Sequence, residues 1–226
     1  MRAGIEILYE DNHVLAVNKA PGMLVQSDIT GDICLADMVK EYLKKTYNKP
    51  GNVFTGVVHR IDRPVSGVVL FAKTGKALER LNQMFKDRTI SKMYWAVVKN
   101  KPNPPQATLV HYLIKDSKTN KSKAYPDPLP NTKRSELHYE LLCQSQHYYL
   151  LQITPITGRH HQIRAQLAAI GCPIKGDIKY GFDRPNPDAS IHLHARSITL
   201  IHPVKKTELT ITANPPKETV WNALTL

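Results

Sequence analysis

Hydrophobic positions along this chain switch between two spacings, and the switches outline the elements. Residues 5–9 and 14–18 are short apolar runs separated by the turn formers Asp11 and Asn12, which predicts a β-hairpin. Leu35, Met38, Val39, Tyr42 and Leu43 then recur at helical spacing while Lys40, Glu41 and Lys44 face water, so a helix is expected here, starting near Asp32 as N-cap. Residues 66–72, SGVVLFA, are apolar on both alternating faces and predict a strand in the middle of a sheet. Residues 76–86 read as a helix capped by Thr74, with Leu78, Leu81 and Phe85 inward. Residues 92–98 return to strand, placing Tyr94, Ala96 and Val98 on one face.

The stretch 115–134 turns to Asp, Ser, Lys, Asn and Pro, the composition of a mobile basic surface loop. Strands at 137–143 and 148–154 follow, joined by a Gln-Ser-Gln-His turn. A helix is expected at 160–169, with Ile163, Leu167 and Ile170 inward and Gly171 and Pro173 as its stop signals. Strands at 191–200 and 206–213 close the pattern. Strands outnumber helices and several are joined by short turns, so the fold class is α+β: a mixed, largely antiparallel sheet flanked by helices. No repeat is visible, and one catalytic domain over residues 1–226 is expected.

Composition narrows the functional classes. Apolar residues make up 42% of the chain, enough for a core, and no run approaches the ~20 apolar residues of a membrane span. Residues 1–13 lack the pattern of a signal peptide, so a cytoplasmic protein is expected. Cys34, Cys143 and Cys172 form no CxxC pair and read as reduced thiols, neither a disulfide framework nor a zinc site. Lys and Arg outnumber Asp and Glu by 31 to 19, for a net charge of +12, and such an excess favours a polyanion, most commonly nucleic acid.

Two polar clusters carry the chemistry. The first, His59-Arg60-Ile61-Asp62-Arg63, lies between the apolar pair Val57-Val58 and the SGVVLFA strand, which puts a carboxylate at the edge of the core. Burial raises such a group's pKa and a neighbouring guanidinium lowers it, so an ionised Asp62 calls for an arginine. A purely structural Asp62, capping a turn or paired with Arg60 or Arg63, reads equally well on this segment alone. The second cluster runs from Thr157 to Arg164. Arg164 lies beside the apolar stripe of its helix and so calls for a carboxylate, with Asp62 the candidate; alternatively Arg159 and Arg164 bind phosphates.

At these residues the sequence resembles the RluA-type pseudouridine synthases. The family's HRLD-x-x-T-S-G motif matches His59 to Gly67, its K-x-Y strand matches Lys92 to Tyr94, its TGR-x-HQ-hydrophobic-R motif matches Thr157 to Arg164, and its GDxxYG motif matches Gly176 to Gly181. The opening pattern from Glu10 to Lys19, the LHA at Leu193 to Ala195 and the later His202-Pro203 extend the resemblance over about residues 5–203. The resemblance implies the pseudouridine synthase fold with a basic central cleft, and isomerisation of uridines in ribosomal or transfer RNA without cofactor or metal. It implies Asp62 as catalytic carboxylate, Tyr94 stacking on the target base and Arg164 pairing with Asp62. Arg60, His59, Lys92, Arg159 and Gln162 would bind substrate. Departures are Pro64, Val65 in place of the usual Thr, and Gln166 where many members have His.

Because the family pattern begins near residue 5, no separate N-terminal RNA-binding domain is expected, nor an obligate protein partner; a monomer is the expectation. A hydrolytic glycosidase would want two flanking carboxylates, whereas one Asp stands here among arginines. A zinc site at His160, His161, His192 and His194 is disfavoured by Arg159, Arg164 and Arg196, which repel a cation. The remaining competitor is a non-catalytic RNA-binding module on the same fold.

Overall fold

A computed structural model describes residues 4–28 and 31–224. In chain order the elements are β1 (Glu6–Glu10), β2 (Val14–Lys19), α1 (Leu35–Thr46), β3 (Gly56–Val57), β4 (Ser66–Ala72) and α2 (Gly75–Asp87). Then come β5 (Ser91–Val98), β6 (Gln106–Asp116), β7 (Lys121–Tyr125), β8 (Lys133–Gln144), β9 (Tyr149–Pro155) and α3 (Gln162–Ala169). A 3-10 turn (Ile178–Tyr180), β10 (Leu193–Ile201), β11 (Glu208–Thr212) and α4 (Thr219–Leu224) complete the described chain. Strands dominate and helices pack on them, an α+β architecture. Among the described residues no helix is long and apolar enough to cross a membrane.

Contacts divide the chain into two compact units: residues 1–91 with 195–215, and residues 92–194 with 216–226. In the first, β1, β2, β4 and β10 are neighbours in that order, β11 pairs with β10 and β3 with β4. As its two-sided apolar pattern predicts, β4 is buried along its whole length. Its register on β2, Val17 opposite Val69, brings Val14 and Ala16 beside Val68, Leu70 and Ala72, and Ile198, Leu200 and Ile211 complete the core under Ala77 and Leu81 of α2. Helix α2 starts as expected, the Thr74 hydroxyl accepting the Ala77 N–H at 3.3 Å. Gly67 makes the close approach of β4 to β10 achievable: its φ is +116°, and a Cβ there would lie 2.3 Å from the Ala195 carbonyl oxygen.

Helix α1 corrects one expectation. Its N-cap position is Cys34, with no side-chain cap, rather than Asp32. The free N–H groups of Leu35 and Ala36 are taken by the carbonyls of Leu24 and Val25 at 2.8 and 3.1 Å, so the preceding segment replaces a capping side chain. Asp32 instead forms an ion pair with Arg63 at 3.0 Å.

In the second unit the order is β5, β9, β8, β6, β7, all antiparallel. Val97 and Leu150 pack with Trp221 and Leu224 of α4 on one part of it, and Leu113 with Ala165 and Tyr180 on another. The expected loop at 115–134 is the second correction: residues 115–116 end β6, 121–125 form β7 and 133–134 begin β8. Its polar residues still alternate, and the inward position is taken by Ser122, 3% exposed, whose hydroxyl is hydrogen-bonded and therefore tolerated. Helix α3 ends at Ala169, and Gly171, φ +73°, follows its C-cap Ile170, as the stop signals predict.

Candidate active site

Asp62 stands at the mouth of β4. Its own carbonyl accepts the Val65 N–H at 3.0 Å, closing a turn that delivers the chain straight into the buried strand. The half-buried residue is followed by a clamp that sequence reasoning did not assign. Lys19, fully buried at the end of β2, donates from Nζ to the carbonyls of Ala20, Met23 and Arg63 at 3.0, 2.9 and 3.1 Å. An ammonium has three donors, and these three acceptors use all of them. Gly22 N–H reaches the same Arg63 carbonyl at 2.8 Å, and Arg63 Nε returns a bond to the Gly22 carbonyl at 3.0 Å. Burial pulls the Lys19 pKa down to about 7, with the Asp62 charge opposing and Arg63 adding to the fall. The motif stretch from Glu10 to Lys19 was the signal that could have marked this lysine.

The neighbours of Asp62 fall into two kinds. His59 Nε2 accepts the Leu70 N–H at 3.0 Å and its ring stacks on Phe85 at 5.1 Å, so it braces β4. Arg60 is exposed.

The second unit carries the other predicted residues. Arg164, 5% exposed, meets a carboxylate as its burial demanded, and that carboxylate is Asp177: Nε to Oδ2 is 2.7 Å and Nη2 to Oδ1 is 2.9 Å, a two-pronged pair. The Tyr180 ring lies 5.0 Å from the guanidinium carbon. Asp177 and Tyr180 both come from the GDxxYG stretch, to which the sequence pattern alone assigns no role. Gln162 is buried and committed: its Oε1 accepts from Thr157 Oγ1 at 2.7 Å and Arg159 N–H at 2.9 Å, and its Nε2 donates to the Glu136 carbonyl at 3.0 Å. These bonds fix the turn that leaves Arg159 exposed. Lys92 reaches the same turn, since a Cβ on Gly158 would lie 3.8 Å from its Nζ. Tyr94 is half-buried on β5 opposite Ile153 of β9. Gln166, a departure from the family pattern, donates from Nε2 to the Leu109 carbonyl at 3.2 Å.

The histidines considered as metal ligands have other partners. His160 and His161 stack at 3.8 Å. His192 Nδ1 lies 3.0 Å from Asn186 Nδ2, which can only donate, so the proton sits on Nε2, which faces Glu218 Oε1 at 2.7 Å.

Comparison with known proteins assigns the class. Two solved structures share the fold: human RNA pseudouridylate synthase domain containing 4, at a TM-score of 0.79 and 23% identity over 96% of this chain and 90% of that one, and human RNA pseudouridylate synthase domain containing 1, at 0.77 and 23% over 98% and 87%. Residues 13–169 match the family described as RNA pseudouridylate synthase, and the chain belongs to that family. Among its relatives is ribosomal large subunit pseudouridine synthase C of Rickettsia bellii, 34% identical over 93% of this chain and 68% of that protein. The proteins of the same name from Buchnera aphidicola and Vibrio cholerae are each 34% identical over 92% of this chain and 66% and 64% of their own lengths. The chain thus spans about two thirds of the length of these relatives.

Proposed function

We propose that this chain converts uridine to pseudouridine in large-subunit ribosomal RNA, with Asp62 as the catalytic carboxylate. The observation that carries the assignment of Asp62 is its clamped turn at the head of β4, where Lys19 fixes the backbone of the next residue. The choice of RNA rests on the relatives, which are named as ribosomal large subunit pseudouridine synthases. The family match runs through both compact units, which supports reading them as one catalytic domain.

The reaction breaks the C1'–N1 bond, turns the uracil and joins C5 to C1', releasing the C5 proton while N1 gains one. Atoms and electrons balance within the nucleoside. One ionised carboxylate serves, either attacking C1' or removing a sugar proton. Tyr94 is the proposed platform for the detached base, a role suited to a half-buried aromatic ring. Arg164, kept in place by Asp177, is a further residue proposed to serve the reaction. Arg60 and Arg159, both exposed, are the proposed RNA contacts.

Tritium release from transcripts carrying 5-tritiated uridine tests this reading. Wild type should release label from a large-subunit ribosomal transcript, and Asp62→Asn should release none while still binding the RNA. Turnover by Asp62→Asn within about tenfold of wild type, a loss of less than ~1.4 kcal/mol in the barrier, would remove Asp62 from the chemistry.

A further inference from the structure

The β6–β7 hairpin has a charge imbalance that the active-site reading leaves unused. Its tip, residues 115–123, holds Lys115, Lys118, Lys121 and Lys123 against the single acid Asp116, all exposed. Asp116 is occupied in shaping the turn, accepting from the Lys118 N–H at 2.9 Å and the Thr119 hydroxyl at 2.7 Å. A fifth lysine, Lys179, leans on the tip and donates to the carbonyls of Thr119 and Asn120 at 3.3 and 3.2 Å. Like charges gathered this closely repel one another, and a polyanion relieves the repulsion.

The hairpin is also held in a fixed pose. Ser122 N–H donates to the Tyr180 hydroxyl at 2.8 Å, and Ser122 Oγ donates to the His160 carbonyl at 2.7 Å. Leu113 and its cross-strand partner Ala124 pack with Ala165, Ala168 and Tyr180, so that face of the hairpin is turned to α3. Side chains alternate along a strand and paired residues share a face. The opposite face therefore carries the pairs Tyr112 with Tyr125 and Ile114 with Lys123, and Arg134 of β8 opposite Tyr112. The Lys123 ammonium lies 4.9 Å from the centre of the Tyr125 ring. Two adjacent half-buried tyrosines beside a lysine-rich tip combine stacking surfaces with phosphate partners, the composition that binds single-stranded nucleic acid without sequence preference.

We infer that the outer face and tip of the β6–β7 hairpin form a second RNA-contact surface, which takes a single-stranded stretch flanking the target uridine, with Tyr112 and Tyr125 under its bases and Lys118 and Lys123 on its phosphates. This rests on RNA being the substrate. The surface lends affinity to long substrates, and its rigid anchoring through Ser122 means that little ordering is lost when RNA docks.

Fluorescence anisotropy with the full chain tests it, using a short uridine-containing oligonucleotide, the same RNA with a single-stranded extension, and the same RNA with the extension made duplex. Lys118→Glu/Lys123→Glu and Tyr125→Ala should each weaken the single-stranded extended RNA about tenfold, and the charge reversal should make its salt slope shallower by roughly 1 to 2. The short RNA should change less than about twofold. Equal binding of the extended RNA by wild type and both variants overturns the surface, and so does equal weakening of the short and extended RNAs. Wild-type preference for the duplex extension overturns the stacking role of the tyrosines. A wild type that binds none of the RNAs takes the RNA reading down together with the hairpin, an outcome distinct from loss confined to the variants.

Discussion

Lys19 Nζ and the Arg63 carbonyl oxygen lie 3.1 Å apart, so a buried ammonium at the end of β2 sets the position of the residue that follows Asp62. Lys19→Met removes that donor together with the bonds to Ala20 and Met23. Turnover should drop about tenfold to a hundredfold from misplacement of the turn. The folded pKa of about 7 lies below the unfolded lysine value, so between them the unfolded chain binds the extra proton and stability rises with pH from about 7 toward 10.5. Urea titrations from pH 6 to 10 should show this rise in wild type and a flatter profile in Lys19→Met. Identical profiles would mean that the ammonium does not titrate there.

Arg164→Met should destabilise the protein by about 3 to 5 kcal/mol, because it leaves the Asp177 carboxylate, 1% exposed, without its two-pronged partner. Arg164→Met/Asp177→Leu should recover part of the loss, since two apolar side chains of similar volume strand no charge. Chemical denaturation of the two singles and the double measures the coupling, and strict additivity would mean that the pair contributes nothing as a pair. Activity should stay low in the double variant even where stability returns.

Tyr94→Ala should slow isomerisation by the loss of a stacking platform, about 1 to 3 kcal/mol, while Tyr94→Phe retains most of it. Single-turnover rates on a ribosomal transcript separate this from an effect on RNA affinity. A rate for Tyr94→Ala equal to wild type would place the base elsewhere.

His192 makes the second unit sensitive to acid. Burial holds its pKa below the ordinary histidine value, chiefly against the counteracting charge of Glu218. As pH falls below about 6.5 the unfolded chain takes up a proton that the folded chain does not, so stability drops by at most about 1.4 kcal/mol per pH unit from this group. His192→Gln should flatten the stability profile between pH 7 and 5, as read from thermal midpoints; an unchanged slope would assign the acid sensitivity to other groups.

Much of this was legible from local patterns, because local chemistry determines it. The SGVVLFA run could only be satisfied by burial on both faces, and β4 has no exposed residue. Thr74 caps α2 and Gly171 follows α3 because those bonds close within a few residues of sequence. What escaped depends on groups brought in from afar. Helix α1 is capped by the carbonyls of Leu24 and Val25, which no capping rule for the helix itself contains. The β6–β7 hairpin looked like a loop because its buried position holds Ser122, made acceptable by Tyr180 and His160 from distant stretches of chain. Burial of Arg164 was legible from its place on the helix stripe, and the demand for a carboxylate with it. That Asp177 answers the demand depends on the path of the chain through the 3-10 turn.

The core of the first unit is assembled from segments that are far apart in the order of synthesis. Ile198, Leu200 and Ile211 complete the apolar layer begun by Val14, Ala16 and Val68, yet they leave the ribosome after nearly the whole second unit has been made. Until then the edge of β4 that will meet β10 stays open, and Gly67, with no side chain to shield it, exposes backbone at the place where Ala195 will dock. A nascent chain halted before residue 195 should therefore be a client for chaperones, and truncation before that point should harm the Asp62 turn near the start of the protein more than its distance in sequence suggests.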